Sequence, residues 1–310
     1  MNIVLAKTFL EVLNTRNFNK AADRLCVTQS TVTVRIAALE EQLGQQLFTR
    51  DKSGVELTVA GRKFQPYAEL LLQTWQHARQ ELALAASQSV MFSVGICPDL
   101  WEGLAKPWLL DIQKSQPNVA LNANVRDSAT ILERLAQGFL DAALLYEPNP
   151  RKDIVVQELL DEYLVLVGTE PRKAERWNPQ YVYIGWGEDF NSQHRAIMPN
   201  EITPPVSFND GSLALDFILA RGGSAYFPVR QVHGLMEAKK LFVVENAPLM
   251  SRRIYLAYTE TIGRHGWFQE AVKSLRTYSG ALEKLNQGFG REMAGHLPGA
   301  ATAGPERGEG

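Results

Sequence analysis

Apolar residues at Ala21, Ala22, Leu25, Val27, Val32, Ile36, Leu39 and Leu43 recur in steps of three and four, which predicts two short helices packed face to face. The small side chains of Ala21 and Ala22 let the two helices cross closely, and Thr28 and Ser30 stand where hydroxyls accept the free amides that open the second one. Gln29, Ser30, Thr31, Thr33 and Arg35 then fall on its outer side. Gly44 ends that helix, and Leu47 and Phe48 return to the core. Arg50, Lys52, Ser53 and Gly54 make a hydrophilic turn between LFTR and VELT, the pattern of a two-stranded wing. Such a winged helix-turn-helix is built to enter DNA. Gln and Arg make bidentate contacts to base edges, short hydroxyl residues meet bases or phosphates, and wing cations reach phosphate or the minor groove. The candidate DNA contacts are Thr28, Gln29, Ser30, Thr31, Thr33, Arg35, Arg50 and Lys52.

After the wing, Thr58 caps a long helix in which Phe64, Tyr67, Ala68, Leu71, Trp75, Ala78, Leu82 and Ala85 recur close to every half heptad. A stripe of that length between two domains calls for the same helix of a second subunit, so Phe64, Tyr67, Leu71, Trp75, Ala78 and Leu82 are the expected dimerisation residues. Pro66 inside it predicts a kink between Ala60 and Pro66. From Val90 the pattern changes to short apolar strands alternating with helices: MFSVGI, VALNANV, DAALLYE, YLVLVGT, YVYIGW, SAYFPV and RRIYLAYT. That alternation predicts a parallel-rich α/β fold. The stretch from Asn286 to Gly310, rich in Gly, Ala and Pro, shows no periodicity and reads as a disordered tail.

Ala21, Ala22, Gln29, Leu39-Glu40, Leu43-Gly44, Leu47-Phe48, Arg50 and the run LTVAG together resemble the LysR-type transcriptional regulators, over residues 1 to 88. Thr31 stands where that family often has Pro or Ala, Thr33 where it favours Ser, and Ala37 where a basic residue is common, which removes one phosphate contact. Further on, LWEGLAKPWLLDIQKSQPNVALN, ILERLAQGFLDAALL and ILARGGSAYFP are similar, in their order, to the effector-binding domain of that family, which resembles periplasmic binding proteins. KTFLEV, PYAE, LWE and related stretches are similar to a subgroup associated with motility or metabolic genes.

The resemblance implies a winged helix-turn-helix over 1–59, a dimerisation helix over 60–89 and a bilobed effector-binding domain over 90–285, with a tail over 286–310. Lobe 1 takes 90–162 and 265–285, lobe 2 takes 163–264, and two crossovers make a hinge. It also implies a homodimer or homotetramer on double-stranded promoter DNA, a small-molecule effector in the cleft, and an effect on RNA polymerase access.

In a bilobed fold the ligand sits where strands end and helix N-termini present free amides. Three loops fit: Cys97, Pro98, Asp99 and Leu100; Arg126, Asp127, Ser128 and Ala129; and Asn209, Asp210, Gly211 and Ser212, with Ser128 and Ser212 as candidate N-caps. Tyr146 and Glu147 on a crossing strand and His194 from the opposite lobe are expected to line the same cleft. Asp99, Asp127 and Asp210 repel a highly charged anion, and Arg126 compensates them only in part, so a weakly charged ligand or none is expected.

Composition narrows the rest. A chain of 310 residues with 45% hydrophobic content supports two domains. The net charge of -2 does not advertise nucleic acid, so DNA affinity must come from local cations. Cys26 and Cys97 fall in different domains, which suggests reduced thiols and, for Cys97, a buried and inert one. His77, His194, His233, His265 and His296 show no metal spacing, and no G-x-S-x-G elbow or P-loop is present, so neither metal, cofactor nor catalysis is expected. With no apolar run long enough to span a bilayer and no signal-like N-terminus, a cytoplasmic location is expected. The rival classes are an enzyme, a solute-binding module and a ligand-independent DNA-architectural repressor.

Overall fold

The computed structural model describes residues 2–51, 54–82, 90–149, 152–174, 179–197 and 204–295. The chain divides into two compact units, Met1–Ser87 and Gln88–Gly310.

In the first unit, α1 (Ile3–Thr15), α2 (Phe18–Leu25) and α3 (Gln29–Leu43) precede β1 (Phe48–Asp51), β2 (Gly54–Leu57) and α4 (Val59–Leu82). Side chains capture the free amides at each start: Asn2 accepts from Val4, Asn17 from Asn19 and Lys20, and Thr28 from Thr31. Gly44 closes α3 at φ 64, a left-handed conformation that glycine adopts without a Cβ penalty. Leu5, Phe9 and Val12 of α1 form the floor on which α2 and α3 pack. Phe9 meets the rings of Phe48 and Phe64, each at 5.1 Å between centroids. Glu40 Oε1 accepts from the Leu47 and Phe48 amides at 2.7 and 3.3 Å, tying the end of α3 to the start of the wing.

Two expectations change here. Leu43 is 39% exposed rather than packed between the helices. Phe64 and Ala68 lie in this unit's own core, because the first turns of α4 pack on α1, so Phe64 is not available to a second subunit. The helix is continuous through Pro66.

The second unit opens with β3 (Val90–Ile96), a 3-10 turn (Pro98–Leu100), a π-helical turn (Trp101–Ala105), α5 (Lys106–Ser115), β4 (Val119–Val125), α6 (Ser128–Ala136) and β5 (Ala142–Leu145). There follow β6 (Ile154–Gly168), β7 (Arg172–Lys173), β8 (Val182–Ile184), α7 (Glu188–Ile197), β9 (Val206–Phe208), α8 (Gly211–Arg221), β10 (Ser224–Pro228) and α9 (Val229–Glu237). The chain returns through β11 (Phe242–Glu245), β12 (Met250–Thr259), α10 (Glu260–Gly263) and α11 (Gly266–Gly295).

One sheet in the order β4-β3-β5-β12-β6-β11-β7, with β10 also on β6, serves two separate cores. β3 is parallel to β4 and β5, as expected. The long strands β6 and β12 instead run antiparallel to each other, and they carry the chain between the lobes. Ladder pairing of these two connections makes the sheet mixed rather than parallel-rich. The cores change hands inside them: Leu160 and Ile254 face lobe 1, Leu164 and Met250 face lobe 2. Lobe 1 therefore begins again within β12, before the expected residue 265.

The expected tail is also corrected. Residues 286–295 continue α11, while 296–310 lie outside the described residues. Phe268 and Leu275 of this helix are in the lobe 1 core, and Leu285 and Phe289 pack on lobe 2. Asn286 Nδ2 donates to the Asp161 carbonyl at 2.8 Å.

Candidate functional site

The recognition face follows from α3 alone. With Val32, Ile36 and Leu39 buried, Gln29, Ser30, Val34 and Ala37 are exposed and Thr31, Thr33 and Arg35 are half-buried. Val34, 67% exposed, is the outward residue that a search for polar positions passes over. Its signal was present: it stands two positions from both Val32 and Ile36, on the opposite side of the helix. Thr28 is committed to capping, its Oγ1 accepting from the Thr31 amide at 3.2 Å and lying 2.9 Å from Ser30 Oγ. Arg50 is in β1 opposite Val55, and Lys52 lies outside the described residues. Two nearby cations have partners within the unit: Arg24 pairs with Glu11 at 3.1 Å, and Arg62 donates to the Leu57 carbonyl.

The junction between the two cores of the second unit is built on β6 and β12. Their register sets Arg252 opposite Glu162 on the inward face and Arg253 opposite Asp161 on the outward face. Arg252 Nε donates to Glu162 Oε2 at 2.8 Å, and Arg230 Nε, from α9, donates to Glu162 Oε1 at 2.6 Å. The Tyr146 hydroxyl, just past β5, accepts from Arg252 at 2.7 Å and Arg230 at 3.3 Å and donates to Glu162 Oε2 at 3.3 Å. Arg252 also donates to the Trp186 carbonyl and lies 3.7 Å from the Tyr146 ring centroid and 4.6 Å from that of Trp186. Asp99 approaches Arg252 at 3.8 Å.

Burial drives the Glu162 carboxyl upward, but Arg230 and Arg252 outweigh it and hold it below the ordinary carboxylate value. Asp99 goes the other way: burial raises it, and Arg252 and Arg230 only partly offset this. Removing Glu162, Arg230 or Arg252 strands a buried charge, a loss of about 3–5 kcal/mol.

The expected ligand residues divide. Asp99, Tyr146 and Glu147 gather at this junction, Glu147 by accepting from the Glu188 amide at 2.6 Å. Tyr146 and Glu147 follow β5 rather than lying on a crossing strand. Pro98 and Asn209 are exposed, and Arg126 donates to the Val125 carbonyl. Asp127 and Asp210, not Ser128 and Ser212, cap α6 and α8, accepting from Thr130 and Leu213. Ser128 Oγ instead lies 3.2 Å from Cys97 Sγ, and burial pushes that thiol up to about 11. Leu100 is fully buried in the lobe 1 core. His194 is likewise a core residue, 2.8 Å from the Tyr181 hydroxyl and packed against Tyr183, Phe190 and Tyr226. Its place on the inner side of α7, among aromatic rings, removes it from the ligand set.

Glu162, Arg230, Arg252 and Trp186 were not found by reading loops. For Glu162 and Arg252 the signal lay in the strands: alternation from Leu160 to Leu164 and from Met250 to Ile254 puts one charge of each pair inside.

Residues 3–62 match the bacterial regulatory helix-turn-helix protein, lysR family, and residues 85–276 match the LysR substrate binding domain. The regulator HdfR of Yersinia enterocolitica is 31% identical over 288 residues, covering 88% of this chain and 96% of the relative. HdfR of Salmonella schwarzengrund is 33% identical over 279 residues, covering 88% and 98%. Among solved structures, CbnR, a LysR family regulator, aligns over 90% of this chain and 99% of its own with TM-score 0.64 at 18% identity. Vibrio fischeri DarR in complex with DNA aligns over 89% and 98% with TM-score 0.55 at 18% identity. A helix-turn-helix face of this geometry, followed by a two-lobed domain hung on two crossing strands, places the chain in the LysR family of DNA-binding transcriptional regulators.

Proposed function

We propose that this regulator binds promoter DNA as a homodimer or homotetramer and that a small molecule in the cleft of the second unit modulates the complex. The carrying observation is the outward face of α3, where Gln29, Ser30, Val34 and Ala37 project beyond a fully packed core. That face fits a major groove, with Gln29, Ser30, Thr31, Thr33 and Arg35 toward bases and phosphates and Thr28 shaping the helix start, and Arg50 and Lys52 are the proposed phosphate contacts of the wing. The DNA complex of DarR supports the same use of the module. Tyr67, Trp75 and Leu82 of α4 are exposed at 64%, 47% and 89%, and with Leu71 and Ala78 they form the face for a second copy. Asp99, Tyr146 and Glu147, with Pro98, Arg126, Asp127, Ser128, Asn209 and Asp210 around them, form the ligand region. The protein acts on DNA in the cytoplasm without a catalytic step.

A gel-shift titration against its own promoter tests this. Affinity falls steeply with added salt because phosphate contacts release counterions, and Arg35→Ala weakens binding at unchanged thermal stability. Equal affinity for promoter and scrambled DNA rejects the specific regulator. A ligand-independent regulator is the second reading, favoured by the two arginines of the cleft being already paired with Glu162.

A further inference from the structure

We propose that Arg230, Arg252 and the Tyr146 hydroxyl form a carboxylate-binding site whose resident ligand is the chain's own Glu162, latching the two lobes without an external acid. The inference deepens the proposed regulation and rests on the second unit being an effector domain.

The geometry is that of a captured acid. Two guanidinium Nε atoms address different oxygens of one carboxylate, at 2.6 and 2.8 Å, and a phenol completes the set. The three charged side chains are 1–4% exposed. They also come from different parts of the fold. Tyr146 belongs to lobe 1, Arg230 to α9 of lobe 2, and Glu162 and Arg252 to the crossing strands.

Arg230 is the arm of the latch. Its Nη1 reaches the Glu102 carbonyl in lobe 1 at 2.9 Å. That carbonyl lies within the π-helical turn, where Glu102 is extended at ψ 134 and Gly103 adopts φ 81, so the local ladder does not use it in the ordinary way. Parting the lobes withdraws Arg230 from both Glu102 and Tyr146.

Charge balance closes the site to competitors. Two guanidiniums face Glu162 and Asp99, with Asp210 near Asp99. A free carboxylate entering this balanced, buried set adds an uncompensated negative charge. It binds only when Glu162 is taken away.

The test is chemical rescue in the full-length protein. Thermal unfolding is followed in sodium acetate or formate against sodium chloride at equal ionic strength. Wild type shows only the small, unsaturated difference between the salts that general salt effects give. Glu162→Ala unfolds at a lower temperature, which acetate raises saturably, by about 5 °C well above its dissociation constant, while chloride does not. Acetate raising a folded Glu162→Ala no more than it raises wild type overturns the proposal.

Should Glu162→Ala fail to fold, Arg230→Met decides, since it keeps the Glu162–Arg252 pair between the strands. Amide exchange at Glu102–Ala105 and the start of α9 then quickens about tenfold with the centre of β6 unchanged. Exchange equal to wild type overturns the latch. A wild-type promoter complex that responds to a small molecule while Glu162→Ala ignores acetate keeps the effector reading and rejects the latch. Acetate rescue without any ligand response does the reverse.

Discussion

Val34 is a costly choice for a solvent-facing helix position, being β-branched and 67% exposed. Its branched methyls suit the C5-methyl of thymine in the major groove. Replacing the contacted thymine by deoxyuracil lowers wild-type affinity about fourfold, the equivalent of one buried methyl at about 0.8 kcal/mol. Val34→Ser binds both DNAs equally. A wild-type protein indifferent to the substitution at every thymine of the bound site removes Val34 from base contact. Asp99 is the opposite kind of residue, a carboxylate that burial raises above its ordinary value. Its charged form is therefore disfavoured by folding, and the penalty is full above the raised value and absent below the unfolded one. Asp99→Asn raises the unfolding temperature at pH 7, and the gain disappears on acidification. A lower unfolding temperature at pH 7 shows the Arg252 attraction to prevail.

Among the elements, α11 departs furthest from its sequence appearance. Gly280, Gly288 and Gly290 lie within it, and the Gly, Ala and Pro content from Asn286 onward, without periodicity, predicts an unstructured tail. Tertiary packing overrides the propensity: Phe289 is 9% exposed against lobe 2, and Gly290 lies where a Cβ would come within 3.2 Å of the Tyr163 ring. A helix seated on both lobes braces them. Phe289→Ala lowers stability by about 3 kcal/mol, measured by urea unfolding, and a loss below about 0.5 kcal/mol would show that the last turns of α11 carry no load. α3 shows the converse. Thr28, the apolar spacing and Gly44 each agree with the same helix, so its limits were readable from local chemistry.

The whole molecule joins a locally specified unit to one specified by long-range pairing. Two groups of the second unit make its stability depend on acid. Burial lowers His194 below the ordinary histidine value of 6.5, so the fold holds it neutral. As pH falls through 6.5, the unfolded chain takes up a proton that the folded one refuses, and stability drops until the folded value is passed. Glu162, held low, adds a second loss as pH falls below its ordinary value of 4.5. Urea midpoints measured from pH 8 to pH 4 show both, and His194→Asn abolishes the first. A wild-type profile flat through that first window would contradict the burial of a neutral imidazole.

The sequence by itself determined the winged helix-turn-helix, the long helix behind it and the alternation of strands and helices, because caps, glycine stops and periodicity act over a few residues. It could also place Asp99, Tyr146 and Glu147 near a cleft, from strand ends and helix starts. Only the tertiary structure decided that His194 and Leu100 are core, that Phe64 packs within its own unit, and that Glu162, Arg230 and Arg252 meet. These residues are far apart along the chain, and what brings them together is the antiparallel register of β6 and β12 with α9 folded against them, a set of contacts that no local pattern encodes.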